Sequence, residues 1–283
     1  MTEQKSTPEL QRWIVAQIES GHANRELLRA MLASGWDEDV AAQALSDTRE
    51  AFLSEQDRLK HVPPATPVPE PHLCAAPCSV WIGDHEVAVL MTLEHPRLAV
   101  FGGFLSDAEC DELVALARAR LVRSETVVGS TGGAEVNNAR TSEGMFFERA
   151  EHEICKCIEA RIATLLNWPV QNGEGLQVLH YRPGAEYKPH YDYFDPAQSG
   201  TPDIVARGGQ RVATMVIYLN TPAKGGGTVF PDAGIEVDAV KGKAVFFSYD
   251  RAHPMTASLH GGSPVLDGEK WVATKWLRER EFV

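Results

Sequence analysis

The stretch HYRPGAEYKPHYDYF, residues 180–194, carries the strongest functional signal in this sequence. Within it, His190 and Asp192 are separated by a single residue. On a β-strand that spacing places both side chains on one face, about 7 Å apart along the backbone, so that an imidazole and a carboxylate can converge on one metal ion. A histidine hydrogen-bonded to an aspartate is nevertheless more common than a metal site. The metal interpretation therefore needs a further ligand from elsewhere in the chain.

A late histidine, His260 in SLHGGSPV, supplies the third candidate ligand. Two histidines and one carboxylate are the ligand set typical of non-haem iron(II) sites, and they leave coordination positions open for a co-substrate and dioxygen. Beyond His260, the segment GEKWVATKW reads as a strand that begins with a cation. Alternate residues of a strand share one face, which here carries Lys270, Val272, Thr274 and Trp276. The sequence thus predicts that a cation and an indole point into the same barrel mouth as the metal.

The other histidines are weaker candidates, although the chain contains ten in all. His253 is the one rival to His260, but its context, HPMT, lacks a following Gly-Gly turn. His180 has the opposite strand parity to Tyr181 and is expected to face away from the metal. We therefore assign the third ligand position to His260.

Several motifs in order identify a resemblance that covers about residues 96 to 281. The segments HYDYF, GGQRVATMVIYLN, GGGTVFP, KGKAVFFSYD, SLHGGSPV and GEKWVATKWLR are similar to the catalytic domain of prolyl 4-hydroxylases, which are iron- and 2-oxoglutarate-dependent dioxygenases. The resemblance implies an α+β fold built on a double-stranded β-helix, a distorted jelly roll, with supporting helices. Short apolar runs at 176–181, 212–219, 235–240, 244–249 and 270–277, separated by Gly/Pro turns, are independently typical of such a barrel.

The resemblance also implies roles for individual residues. The Fe(II) ligands would be His190, Asp192 and His260. The residues that bind 2-oxoglutarate would be Lys270, which pairs with the distal carboxylate, and Tyr181, Thr228 and Tyr218. The residues that contact a peptide substrate would be Tyr187, Arg211 and Trp276. Two positions depart from the family pattern, since Arg278 stands where histidine is common and Ser263 where cysteine is common.

The activity that this resemblance implies is 4-hydroxylation of peptidyl proline. It would use Fe(II), dioxygen and 2-oxoglutarate, which is decarboxylated to succinate, with ascorbate as reductant. An aromatic and basic rim suits a proline-rich chain, which offers few donors and flat rings for stacking. Two alternatives remain open at this point. The first alternative is a 2-oxoglutarate oxygenase that acts on another residue or on a small substrate. The second is a catalytically silent peptide-binding barrel.

A proline run, HVPPATPVPEP, marks a change in composition and favours extended polyproline geometry. It predicts three parts: a helical bundle over 1–60, a linker over 61–78 and the dioxygenase domain over 79–283. Apolar residues at helical spacing predict three helices in the bundle. The segment LLRAMLASGWDEDVAAQAL in it resembles a ubiquitin-associated-type module. Either this bundle binds a protein partner, or it has a packing or dimerising role that makes the molecule a homodimer.

Charge and cysteine content limit the remaining function classes. The chain has 27 Lys+Arg against 39 Asp+Glu, a formal charge of −12, which argues against nucleic acid and anionic membrane surfaces as partners. No run of about 18 apolar residues occurs. The five cysteines match no zinc pattern, and their odd number leaves at least one unpaired. These features predict a soluble, reduced, cytoplasmic protein.

Overall fold

The computed structural model describes residues 4–60, 62–73, 78–123, 126–127, 134–135 and 141–283. The chain divides into two compact units, Met1–Pro63 and Pro64–Val283. The small, polar segment SETVVGSTGGAEVNNARTS, residues 124–142, predicts a mobile loop, but it falls mostly outside the described residues. Among the residues described, no helix combines the length and the apolar character needed to cross a membrane.

The smaller unit consists of three helices, α1 (Pro8–Glu19), α2 (Asn24–Ala33) and α3 (Glu38–Lys60). Helix α1 begins after Thr7, whose hydroxyl accepts from the Leu10 N–H, and Pro8 occupies the first turn, where its missing N–H costs nothing. Apolar residues from all three helices pack together in a core of their own: Leu10, Ile14, Leu27, Met31, Ala41, Ala44 and Leu45. The predicted helical bundle is therefore present, with a third helix longer than its apolar pattern suggested.

The larger unit contains seventeen strands within the described residues. In chain order they are β1 (Ser79–Trp81), β2 (Glu86–Leu93), β3 (Arg97–Gly102), β4 (Val122–Arg123), β5 (Thr126–Val127), β6 (Ala134–Glu135), β7 (Glu143–Phe147), β8 (Leu176–Tyr181), β9 (Tyr187–His190), β10 (Arg211–Tyr218), β11 (Lys224–Gly225), β12 (Thr228–Phe230), β13 (Ile235–Val237), β14 (Ala244–Ser248), β15 (His260–Gly262), β16 (Val265–Asp267) and β17 (Lys270–Arg278). Its helices are α4 (Asp107–Arg118), α5 (Glu153–Leu166) and α6 (Thr201–Ala206), with short 3-10 turns at Val170–Asn172, Pro231–Ala233 and Pro254–Thr256.

The ends of the two longer helices follow from local chemistry. Ser106 followed three residues later by Glu109 predicts a capping box for α4. The structure confirms it, because the Ser106 hydroxyl accepts from the Glu109 N–H and the Glu109 carboxylate accepts from the Ser106 N–H at 2.8 Å. The apolar spacing predicts a helix from about Ala150 to Leu166. Helix α5 instead begins at Glu153, because Ala150 adopts a left-handed conformation with φ of 55° that a helix cannot include.

Two antiparallel sheets form the jelly roll. The major sheet has the order β1-β2-β3-β14-β10-β17-β8-β7-β4, and the minor sheet has the order β13-β12-β15-β9. One core lies between them and contains Leu179, Val216 and Val272 from the major sheet with Phe230 and Val237 from the minor sheet. A second core packs α4 and α5 against the opposite face of the major sheet. The predicted α+β jelly roll with supporting helices is confirmed, and its inner faces are where functional side chains converge.

Part of the proline-rich stretch packs against the larger unit. Residues 64–73, which lie within the predicted linker 61–78, belong to the larger unit. The Thr66 N–H donates to the Asp250 carbonyl at 2.7 Å, and Pro69 is buried. A segment rich in proline has few N–H groups to satisfy, so it can lie along a folded surface without a hydrogen-bonded ladder.

Candidate active site

The minor sheet brings the three predicted metal ligands together. Strands β9 and β15 pair so that His190 lies directly opposite His260, and Asp192 follows β9 by two residues. The Nε2 atom of His190 lies 3.6 Å from Asp192 Oδ1, and that of His260 lies 3.4 Å from Asp192 Oδ2. All three ligand atoms fall within 4.8 Å of one another. Residues that are distant in sequence therefore form one compact donor set.

Backbone contacts orient both imidazoles toward that set. His190 Nδ1 lies 2.9 Å from the Lys188 carbonyl, and His260 Nδ1 lies 3.0 Å from the Ser258 carbonyl. A carbonyl only accepts, so each Nδ1 carries the proton and each Nε2 presents its lone pair. This is the second-layer arrangement that metal-binding histidines use, and the donor set fits the nitrogen and oxygen ligands of iron(II).

Burial tunes the charges of the same residues. Burial alone would raise the pKa of Asp192, but His260 and His190 beside it hold that pKa well below its usual range. Burial lowers the pKa of His260 to about 4. At neutral pH the site therefore presents an ionised carboxylate and a neutral buried imidazole, which are the forms that bind a metal cation.

A buried cation lies in the same pocket. Lys270, at the start of β17, is 3 % exposed. Its Nζ atom lies 5.2 Å from the centre of the Tyr181 ring and 5.8 Å from that of Tyr218. Its one hydrogen bond in the described part of the chain is a long one, 3.5 Å to the Gly227 carbonyl. Lacking a carboxylate partner among the described residues, this ammonium group is suited to an anionic ligand.

Eight of the ten predicted site residues line one pocket, and the other two reach it indirectly. The pocket residues are Tyr181, Tyr187, His190, Asp192, Thr228, His260, Lys270 and Trp276. The Tyr218 hydroxyl lies outside this lining and donates to Thr228 Oγ1 at 2.6 Å. Arg211 is also outside it, with its guanidinium 4.0 Å from the centre of the Trp276 ring. Tyr218 and Arg211 therefore contact the pocket lining through Thr228 and Trp276.

Glu174, an acidic residue that the sequence analysis does not single out, pairs with two arginines beside the pocket. Glu174 accepts two hydrogen bonds from Arg211, at 2.7 and 2.8 Å, and lies 2.8 Å from Arg278 Nε. Burial would raise the pKa of Glu174, but Arg211 and Arg278 hold it below its usual value. Arg211 is thus a fixed, ion-paired element of the site. The sequence shows Glu174 at the start of EGLQVLHYRPG, but this position alone does not indicate that Glu174 pairs with Arg211 and Arg278.

The rival histidines lie elsewhere. His180 stacks on Trp271 with ring centres 4.3 Å apart, and its Nε2 atom lies 2.8 Å from a Glu269 carboxylate oxygen, as expected for a side chain facing away from the metal. His253 accepts from the Met255 N–H and caps a 3-10 turn. Neither belongs to the cluster that can hold a metal ion in the described part of the chain.

The fold and the donor set define a 2-oxoglutarate- and iron(II)-dependent dioxygenase, and comparison with known proteins agrees. The family model described as the 2OG-Fe(II) oxygenase superfamily matches residues 176–278. The chain is 41 % identical over 210 residues to prolyl 4-hydroxylase 2 of Arabidopsis thaliana, covering 66 % of this chain and 69 % of that protein. It is 44 % identical over 204 residues to prolyl 4-hydroxylase 1 of the same plant, covering 65 % and 70 %.

A solved structure resembles this chain as well. The viral collagen prolyl hydroxylase of Paramecium bursaria Chlorella virus-1, determined as its 2OG complex, matches with a TM-score of 0.50 and 33 % identity. The match covers 64 % of this chain and 95 % of the viral protein. The chain belongs to the prolyl 4-hydroxylase family.

Proposed function

We propose that this protein hydroxylates proline residues of a peptide or protein at the 4-position, using one 2-oxoglutarate and one dioxygen per turnover. One observation carries the proposal. An Asp/His₂ donor set and a buried lysine, whose hydrogen bond among the described residues goes to a carbonyl, line one pocket beside Tyr187 and Trp276. The relatives named prolyl 4-hydroxylase support proline as the target. One atom of oxygen enters the substrate C–H bond, and the other leaves in succinate as carbon dioxide is released.

Each protein group has a task in this proposal. Iron(II) and 2-oxoglutarate, when bound, supply with dioxygen the oxidising power for C–H hydroxylation. His190, Asp192 and His260 hold the metal, and Lys270 pairs with the distal carboxylate of the co-substrate. Because the Tyr218 O–H is donated to Thr228 Oγ1, the Thr228 proton is free to be donated to that same carboxylate.

The rim fits an extended peptide. The Tyr187 ring stacks on His190 with centres 3.7 Å apart, and Trp276 lies over the Arg211 guanidinium. Both aromatic residues line the pocket. Aromatic faces of this kind suit the flat ring of a proline in an extended chain.

Several finer assignments stay part of the proposal. Ascorbate would restore the reduced metal, and the protein would work in the cytoplasm. The boundaries 1–60, 61–78 and 79–283, the partner-binding role of the N-terminal helices and a homodimer also remain proposals. The alternatives are a 2-oxoglutarate oxygenase that acts on another residue type, on a small substrate or on the chain's own proline-rich segment, and a catalytically silent peptide-binding barrel. Within that segment, Pro69 is a poor target because it is buried.

The test is turnover against a panel of proline-containing peptides, with succinate release and peptide mass measured together. We expect succinate and a mass gain of one oxygen atom on proline in equal amounts, both lost in His190→Ala. Succinate without peptide oxidation would favour another substrate. Peptide binding without succinate under any condition would favour the silent barrel.

We expect the 2-oxoglutarate requirement to depend on the protonation of Lys270. Burial lowers the pKa of Lys270 to about 8, although Glu236 nearby raises it in part. Tyr218, which faces Lys270, stays neutral in this range, since burial raises its pKa. Because its pKa is lowered to about 8, Lys270 is protonated below that pH and loses its positive charge above it. The KM for 2-oxoglutarate should be flat below that pH and rise about tenfold per further pH unit.

This pH profile is measured as the KM for 2-oxoglutarate from about pH 7 to about pH 9.5 at saturating peptide. Lys270→Arg provides the control, because guanidinium stays protonated over the whole range. A wild-type KM that does not change across this range would contradict the role given to Lys270.

Glu174→Gln should weaken both the fold and peptide binding. The substitution leaves Arg211 and Arg278 close together without their shared negative charge. Breaking a buried pair on one side costs about 3–5 kcal/mol of the free energy of unfolding. We also expect the peptide KM to rise about tenfold as Arg211 leaves Trp276, a loss of about 1.4 kcal/mol, with the 2-oxoglutarate KM unchanged. Denaturant unfolding and steady-state kinetics measure the two effects.

A double variant sharpens the Glu174 test. Arg211→Met combined with Glu174→Gln removes both partners of the closest ion pair, so its loss of stability should be smaller than the sum of the single losses. Additive losses would show that the pair does not act as a unit.

A further inference from the structure

The Asp192 carboxylate has a third polar neighbour besides the two imidazoles. Thr214, in the middle of β10, donates its hydroxyl to Asp192 Oδ2 at 2.6 Å. Both side chains are buried, Thr214 completely. An ionised carboxylate only accepts, so the single Thr214 proton is committed to Asp192.

A tyrosine continues this contact away from the metal site. The hydroxyl of Tyr249, the residue after β14, lies 3.0 Å from Thr214 Oγ1. Since the Thr214 proton points to Asp192, Tyr249 is the donor in this second bond. The juxtaposition follows from register, because Thr214 pairs with Phe247 and alternate residues of a strand share a face. The result is a directed chain from Tyr249 through Thr214 to Asp192.

Packing fixes the outer end of this chain. Tyr249 is 1 % exposed, and its ring lies 6.1 Å from Tyr193 and 6.3 Å from Phe247 between ring centres. A ring held from both sides leaves its hydroxyl little freedom. The Thr214 hydroxyl is therefore oriented from one side by Tyr249, which donates to it, and from the other by the Asp192 carboxylate, which accepts from it.

We infer that Thr214 and Tyr249 are positioning residues that fix the orientation of the Asp192 carboxylate and thereby set the metal affinity of the site. The inference rests on the proposed metal site. An acidic ligand that turns freely must be ordered when a metal binds, whereas a carboxylate held by hydrogen bonds is already in place. Outer groups of this kind typically contribute about 10–100-fold in metal affinity.

The experiment is anaerobic titration of the full chain with Co(II) and with Fe(II), without 2-oxoglutarate. The dissociation constant and the visible absorption bands of bound Co(II) are the readouts. Thr214→Val removes the hydroxyl at nearly constant shape, and we expect it to weaken binding about 10–100-fold and to shift the bands. Thr214→Ser should restore both. Tyr249→Phe should weaken binding by less, about threefold to tenfold, and should add nothing in the Thr214→Val background.

Ser248→Ala is the matched control, because its hydroxyl is equally buried on the neighbouring strand but has no hydrogen-bond partner among the described residues. It should leave Co(II) binding unchanged. Wild-type affinity in Thr214→Val, or in Tyr249→Phe should Thr214→Val fail to fold, overturns the inference. Additive losses in the double variant overturn the part given to Tyr249. Failure of the metal site itself looks different, since Asp192→Ala would then bind Co(II) as the wild type does.

Discussion

Replacing Asp192 with alanine is expected to abolish turnover and to weaken Fe(II) binding by more than about 100-fold, beyond the range for a residue that merely orients a ligand. The carboxylate is the one anionic donor in the cluster, and it lies within 3.6 Å of both imidazole Nε2 atoms. Without it, two neutral imidazoles must bind a divalent cation in a buried site. Anaerobic metal titration measures the affinity, and succinate release measures the turnover.

Two further variants make the Asp192 result specific. Asp192→Asn keeps an oxygen in place but removes its charge. We therefore expect its metal affinity to lie between that of Asp192→Ala and that of the wild type. Asp203→Ala removes an exposed aspartate on α6 and should change neither measurement. Metal affinity in Asp192→Ala equal to that of the wild type would exclude Asp192 as a ligand. A circular dichroism spectrum like that of the wild type shows that the fold is retained.

Strand parity explains why much of this site could be predicted from the sequence. Alternation along a strand is a local property, so the shared face of Lys270, Thr274 and Trp276 follows from their spacing, and all three line the pocket. The spacing of His190 and Asp192 also predicts that they converge, although β9 ends at His190 and Asp192 lies two residues beyond it. His260 is predicted from the Gly-Gly turn that follows it. Strand parity itself needs only the direction of each side chain relative to its own strand.

Contacts set by strand pairing could not be predicted in this way. Thr214 meets Asp192, and Glu174 meets Arg211, only because the fold brings together segments that no local pattern connects. Register fixes which residues lie opposite each other, and a shift of one residue would turn every side chain to the other face. Composition is limited at the proline run for a related reason: it indicates an extended backbone but does not say whether that backbone packs on a surface, as Pro69 does.

Lys270→Ala is expected to raise the KM for 2-oxoglutarate by at least about 30-fold, because removing one partner of a buried charge pair costs about 2 kcal/mol or more. The ammonium group is 3 % exposed, and its hydrogen bond among the described residues goes to a carbonyl rather than to a carboxylate, so a ligand carboxylate that enters the pocket can pair with it in a buried environment. Metal affinity measured without 2-oxoglutarate should stay within about threefold of wild type, since Lys270 is not among the cluster residues. Steady-state kinetics and anaerobic metal titration separate the two.

A 2-oxo acid without the distal carboxylate turns this result into a test of the contact itself. The wild type should bind that analogue about as weakly as Lys270→Ala binds 2-oxoglutarate, and the variant should bind both compounds alike, because each change removes the same ion pair. Lys224→Ala, which removes an exposed lysine on β11, controls for the loss of one positive charge and should leave both KM values unchanged. If the variant still preferred 2-oxoglutarate over the analogue by the wild-type factor, another group would hold the distal carboxylate, and the assignment of Lys270 would be wrong.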